Sequence, residues 1–127
     1  MTIDHAAAET LLERFGAAWQ TFDGDAWVDL FTDDAEFRED PFEPPLVGHN
    51  AVRAYLLRTA ELQEQVEFTA ERHWVVDPTI LVAWHASYVA RDNRAAVRLA
   101  GFMALEIRDG RIVRLRQWVR RRETTAG

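Results

Sequence analysis

The chain has no Cys and no Lys, so all 15 of its basic residues are Arg. Thiolate nucleophiles, disulfides, zinc ribbons, iron–sulfur clusters, Schiff-base lysines and P-loop lysines are thereby excluded. Carboxylate, Tyr, His, the Gln amide and the indole N–H remain as the main chemistry. Glu39-Asp40-Pro41 sets two adjacent carboxylates at the entry to a rigid loop, Pro41 to Pro45, that holds three of the four prolines. A carboxylate at the mouth of an apolar pocket has its pKa raised by desolvation, and can then take a carbon-bound proton near neutral pH. A loop Asp turned to solvent, or accepting from a nearby backbone N–H, would do no such work. Among the histidines, His73 and His85 lie on neighbouring segments, and His5 and His49 lie near helix starts. No His-x-x-x-His spacing occurs, so no metal is expected.

The elements that must position these groups follow from periodicity. Over residues 4–22, Leu11, Phe15, Trp19 and Phe22 share one face of an amphipathic helix. Asp23-Gly24-Asp25 ends it, and residues 25–31 read as a second, short helix burying Trp27, Leu30 and Phe31. Residues 35–38 read as a brief strand, and residues 50–63 after Gly48 as a third helix with Val52, Tyr55, Leu56 and Thr59 on one side. The period then changes to two. Residues 66–76, 79–91, 95–108 and 111–122 form four long strands of an antiparallel meander, with Asp109-Gly110 as a hairpin turn. Helices followed by such a sheet make an α+β layer in one domain over residues 1–127.

The alternation gives the sheet two faces. One carries Val82, Trp84, Ala86 and Tyr88, then Val97, Leu99, Gly101, Met103 and Leu105, then Val113, Leu115, Gln117 and Val119. It is apolar apart from Gln117 and must meet the helices. The other carries His85, Phe102, Arg114, Arg116, Trp118 and Arg120, a mixture suited to a partner.

Charge is split along the chain. Residues 1–67 carry 15 acids and four Arg, and residues 68–127 carry six acids and 11 Arg. Seven Arg fall between residues 108 and 122, a pattern that RNA-binding faces also show. Neutralisation of one half by the other, with cross-strand pairing to acids such as Glu71 and Glu106, is the simpler account. The net charge of −6 also opposes phosphate binding, so no nucleic acid partner is expected. No run of about 20 apolar residues exists, so no membrane span is expected. The start MTIDHAAAET lacks the basic opening and apolar run of a signal peptide, which points to a cytoplasmic protein. All-Arg basicity with many Ala suggests a GC-rich bacterial source.

The order of these elements resembles the nuclear transport factor 2-like superfamily, in its SnoaL-like and ketosteroid isomerase-like branches. Ala17-Ala18-Trp19, Leu30-Phe31-Thr32-Asp33-Asp34-Ala35, Glu39-Asp40-Pro41, Gly48 and Ile107-Arg108-Asp109-Gly110-Arg111-Ile112 carry the match across nearly the whole chain. The resemblance implies a cystatin-like cone: three N-terminal helices on a curved antiparallel sheet of four to five strands, around an apolar pocket. Members often dimerise through the outer sheet face, which here implies a homodimer through His73, His85, Phe102, Arg116 and Trp118. Isomerases, dehydratases, cyclases, epoxide hydrolases and non-catalytic modules share the fold, so the site decides.

In the ketosteroid isomerases a like tripeptide holds the general base, which implies Asp40 as the catalytic residue; counting from Phe31 gives Glu39 instead. Their oxyanion donors, a Tyr and a protonated Asp, correspond to Phe15 and Met103, which cannot donate. Steroid isomerisation by that route is not expected. Trp19, Tyr55, Trp84, Tyr88 and Gln117, with Phe15 and Met103, are the expected ligand-binding residues. These aromatics could equally just fill the cone. Some dehydratases of the superfamily use a His–Asp pair, but the parity of His73 and His85 sets both on the outer face. The expectation is a cofactor-independent isomerase, cyclase or dehydratase acting on a small hydrophobic or polycyclic compound, or a non-catalytic binding or association module.

Overall fold

A computed structural model describes residues 3–124. Helix α1 spans His5–Thr21; the Asp4 side chain caps it by accepting from the Ala7 N–H at 2.7 Å. It closes at Phe22, whose backbone is left-handed (φ 50°). Leu11, Leu12, Phe15 and Ala18 form its buried stripe. Asp23 caps α2, Gly24–Val28, through the Ala26 N–H. This helix is shorter than the sequence reading. Leu30 leaves it to accept from the Ile112 N–H at 2.8 Å, and Phe31 opens strand β1, Phe31–Arg38. The two-residue β2, Leu46–Val47, follows the Pro-rich loop. Gly48, at φ 90°, then turns the chain into α3, His49–Leu62.

Strands β3 (Gln63–Val76), β4 (Thr79–Ala90), β5 (Ala96–Arg108) and β6 (Arg111–Thr124) form the meander. The sheet has six strands in the order β2-β1-β6-β5-β4-β3. It is mixed rather than purely antiparallel, because β1 runs parallel to β6. Asp109 and Gly110 both have positive φ, at 53° and 77°, as the two-residue hairpin turn requires.

Two bulges alter the expected faces. Ala70 pairs with Trp84 but Arg72 with Ala83, so Glu71 is an extra residue in β3. The inward set therefore passes from Phe68 and Ala70 to His73 and Val75. His73 is thus on the helix side, not the outer face, and its Nε2 lies 3.1 Å from Nδ1 of His5 on α1. In β6, Glu106 pairs with Arg114 but Ile107 with Ile112, which leaves Val113 as the bulged residue. Ile112 and Leu115 are both fully buried as a result.

The core lies between the helices and the inward face, centred on Phe15, Trp27, Phe31, Phe37, Met103 and Leu115. The acidic front half meets the Arg-rich back half around it. Asp29 pairs with Arg111, Asp34 with Arg108 at 2.6 Å, and Glu36 with Arg114 at 3.1 Å. Arg108, with Thr32, holds the Asp34 carboxyl below its ordinary pKa. Arg114 also reaches Glu106, as the cross-strand reading expects. No helix is long and apolar enough to cross a membrane among the described residues.

Candidate active site

A cavity of about 930 Å³ opens between the helices and the inward sheet face. Its walls are aromatic: Phe15 and Trp19 from α1, Trp27 from α2, Phe37 from β1, Tyr55 from α3, and Trp84 and Tyr88 from β4. The rings brace one another. Trp19 and Trp84 meet edge-on with centroids 6.0 Å apart, and Phe37 and Tyr55 lie 4.6 Å apart. Leu99, Gln117, Val119 and Arg121 complete the sheet side, and Glu39 to Glu43 form the rim on the loop after β1.

That rim is tied down by its own backbone. Asp40 Oδ1 accepts from the Phe42 N–H at 2.9 Å, the Asp40 carbonyl accepts from the Glu43 N–H at 3.1 Å, and Arg38 donates to the Glu43 carbonyl at 2.6 Å. Asp40 is therefore an exposed Asx-turn residue that meets the cavity only at its edge. Glu39, though exposed, is two residues beyond buried Phe37 and shares its side of the strand. Its carboxylate, the Thr59 hydroxyl and the Gln117 side chain surround the Tyr55 hydroxyl. Burial, followed by the charge of Glu39 and the hydrogen bond to it, pushes the Tyr55 pKa far above its ordinary value of 10.0. Tyr55 is thus a neutral donor.

Of the residues expected to contact a ligand, Phe15, Trp19, Tyr55, Trp84, Tyr88 and Gln117 line the cavity. Met103 does not: it sits in register between Val82 and Gln117, fully buried in the core. The Trp19 indole N–H is already given to Gln63 Oε1 at 3.0 Å, so this residue offers a ring and no free donor. The Trp84 indole N–H is buried with no partner. Trp27, Leu99 and Val119 also line the cavity without having been expected there, and so do two further residues, Phe37 and Arg121. Both were detectable by parity, from Ala35 through Phe37 to Glu39 and from Gln117 through Val119 to Arg121.

No group of three or more His, Cys, Asp or Glu suited to a metal occurs among the described residues. His85 is on the outer face, 3.8 Å from Glu71, and His73 faces α1, so neither enters the cavity.

A six-stranded mixed sheet carrying helices over an aromatic cavity defines the nuclear transport factor 2-like class of α+β folds. The SnoaL-like domain matches residues 12–115, and the chain belongs to that family. No protein of curated function matches it in sequence. Among solved structures it is similar to a putative isomerase from Bacillus subtilis (22% identity, TM-score 0.81, 91% of this chain and 87% of that one). It is also similar to an epoxide hydrolase from M. tuberculosis, described as LEH-like (20% identity, TM-score 0.76, 91% and 84%). A third is a putative SnoaL-like polyketide cyclase from Shewanella denitrificans OS-217 (13% identity, TM-score 0.79, 92% and 92%).

Proposed function

We propose that this protein binds a small, flat, largely apolar carbonyl compound in the aromatic cavity and moves a proton on it without a cofactor. Glu39, rather than Asp40, is the general base. The observation that carries this reading is the cluster of Glu39, Tyr55 and Gln117 at the edge of that cavity. Glu39 takes a proton from the carbon next to the ligand carbonyl. On ligand binding the neutral Tyr55 hydroxyl turns from Glu39 and, with the Gln117 amide, donates to the oxygen as it becomes an enolate. Return of the proton to the same carbon gives exchange alone, and return to a conjugated carbon completes an isomerisation. In a cyclisation the enolate instead attacks a second carbonyl of the ligand, and in a dehydration it expels a β-hydroxyl, which takes the proton from Glu39 and leaves as water. Neighbours of the same fold described as a putative isomerase and a putative polyketide cyclase fit chemistry of this kind.

The test is hydrogen–deuterium exchange in D2O, followed by proton NMR on a panel of bicyclic and tricyclic ketones. Catalysed exchange that Glu39→Gln abolishes supports the reading. Exchange at the buffer rate for the whole panel overturns it. The engagement of Asp40 with the loop backbone and the exposure of both carboxylates favour a second reading, ligand binding without turnover. Binding of the same ketones without exchange would establish it.

We also propose that a second copy of the chain covers the outer sheet face. Phe102 and Trp118 are directly paired there and 38% and 44% exposed, with Trp74 beside Phe102. Arg72 and Arg116 lie over Trp74 and Trp118. His85 and Arg116 stay in this surface, and His73 leaves it.

A further inference from the structure

The cavity has a second polar station that the proton-transfer reading does not use. The inward residues of β4, β5 and β6 fall in rows across the sheet. Val82, Met103 and Gln117 form one row; Trp84, Gly101 and Val119 the next; Ala86, Leu99 and Arg121 the third; Tyr88, Val97 and Glu123 the last. Arg121 is the one cation among these residues. Its Nη1 donates to Glu123 Oε2 at 2.9 Å, and Glu123 is itself held by the Asn93 amide at 2.7 Å. Tyr88, one row further on, lines the cavity beside Arg121. Braced in this way, a guanidinium with five N–H groups still has donors to spare, and its side chain is half-exposed at the cavity mouth. The rim carboxylates, Glu39, Asp40 and Glu43, lie on the loop side of the mouth, and Asp40 accepts from the Phe42 N–H. An anion is therefore received on the sheet side, at Arg121, away from those carboxylates.

Resting on the reading of the cavity as the ligand site, we infer that the ligand is an acid whose anionic end lies on Arg121 and Tyr88, while its rings lie along the aromatic wall. Gln117 and Arg121 are four residues apart on one strand, roughly 13 Å. A carbonyl at the Glu39, Tyr55 and Gln117 end and a carboxylate at the Arg121 end thus fit a rigid apolar acid of about three fused rings.

Two fluorescent probes with the same ring system separate charge from shape: 1-anilinonaphthalene-8-sulfonate, an anion, and neutral N-phenyl-1-naphthylamine. Both are titrated into the intact protein at fixed salt. The wild type is expected to bind the anion about tenfold more tightly. Arg121→Gln should remove that preference without changing the neutral probe, Arg121→Lys should restore part of it, and Arg116→Gln on the outer face should change neither. Equal affinities in the wild type, or a preference that survives Arg121→Gln, overturns the inference and leaves the cavity reading standing. Leu99→Trp, which fills the cavity, should block both probes. If neither probe binds, or Leu99→Trp displaces neither, the cavity reading falls and the inference with it.

Discussion

Trp84 lies flat across Gly101. The two residues face each other on β4 and β5, and a Cβ at position 101 would stand 2.4 Å from the indole Cε2 and Cζ2. Glycine inside a strand ordinarily weakens it, so its presence marks a close approach. The missing side chain is the space that the cavity wall occupies. Trp84 in turn supports Trp19 and Phe68, so the pair sets the position of three rings.

Gly101→Ala should therefore act on the cavity and not only on the sheet. The indole must move off the strand, towards the cavity space. We expect a loss of about 1–3 kcal/mol in unfolding free energy, as for other overpacked cores. We also expect weaker binding of N-phenyl-1-naphthylamine and a changed near-ultraviolet circular dichroism spectrum from the Trp19–Trp84 pair. Unchanged probe affinity would show that Trp84 does not set the cavity's shape.

The two rim carboxylates are separable by substitution. Glu39→Gln keeps the size and hydrogen-bonding reach of the side chain but cannot accept a proton from carbon. We expect it to lower catalysed hydrogen–deuterium exchange by about a hundredfold or more. Asp40→Asn can keep the Asx turn to the Phe42 N–H and should change exchange by about threefold or less. The reverse ranking would return the base to Asp40.

The parity that points to Glu39 was legible in the sequence, as were most of the elements. Alternation in β4 and β5, the Asp109-Gly110 turn and the Asp23 break all survive in the structure. So does the inward direction of Trp84, Tyr88 and Gln117. The departures have local physical causes. An extra residue in a strand leaves no mark on composition, so the bulges at Glu71 and Val113 reversed the faces of His73 and Ile112. Thr32, Asp33 and Asp34 read as a loop by residue type, which hid the start of β1; in the fold Thr32 and Arg108 both bond Asp34. Arg121 looks like surface because an Arg near a strand end usually is; its parity with Gln117 and Val119 marks the inward face, and the rows across three strands set it at the cavity. Met103 fell on the correct face but at a depth that alternation alone does not define.

Tyr55 carries a dependence on pH. Its hydroxyl ionises less readily in the folded chain than in the unfolded one, first because of burial and then because of Glu39. Its contribution to stability is therefore full below the unfolded value of 10.0 and is lost progressively as pH rises above it, since the unfolded state releases the proton more readily. Denaturant titrations should show stability falling above about pH 10 in the wild type. Tyr55→Phe should reduce that slope. An identical slope in the variant would mean that Tyr55 ionises freely in the folded chain.

Assembly through the outer face gives the last test. Trp118 is 44% exposed, paired with Phe102 and overlain by Arg116, whereas His73 is turned towards α1. A cluster of exposed aromatics flanked by Arg has the composition of an interface centre, and one buried Trp there typically contributes 2 kcal/mol or more, by order of magnitude. Trp118→Glu adds a charge in the middle of that cluster without touching the core. Light scattering coupled to size-exclusion chromatography should therefore find the wild type as a dimer and Trp118→Glu as a monomer with unchanged circular dichroism. His73→Ala should remain dimeric. If Trp118→Glu is still a dimer, the two copies meet elsewhere, and the aromatic face serves some other contact.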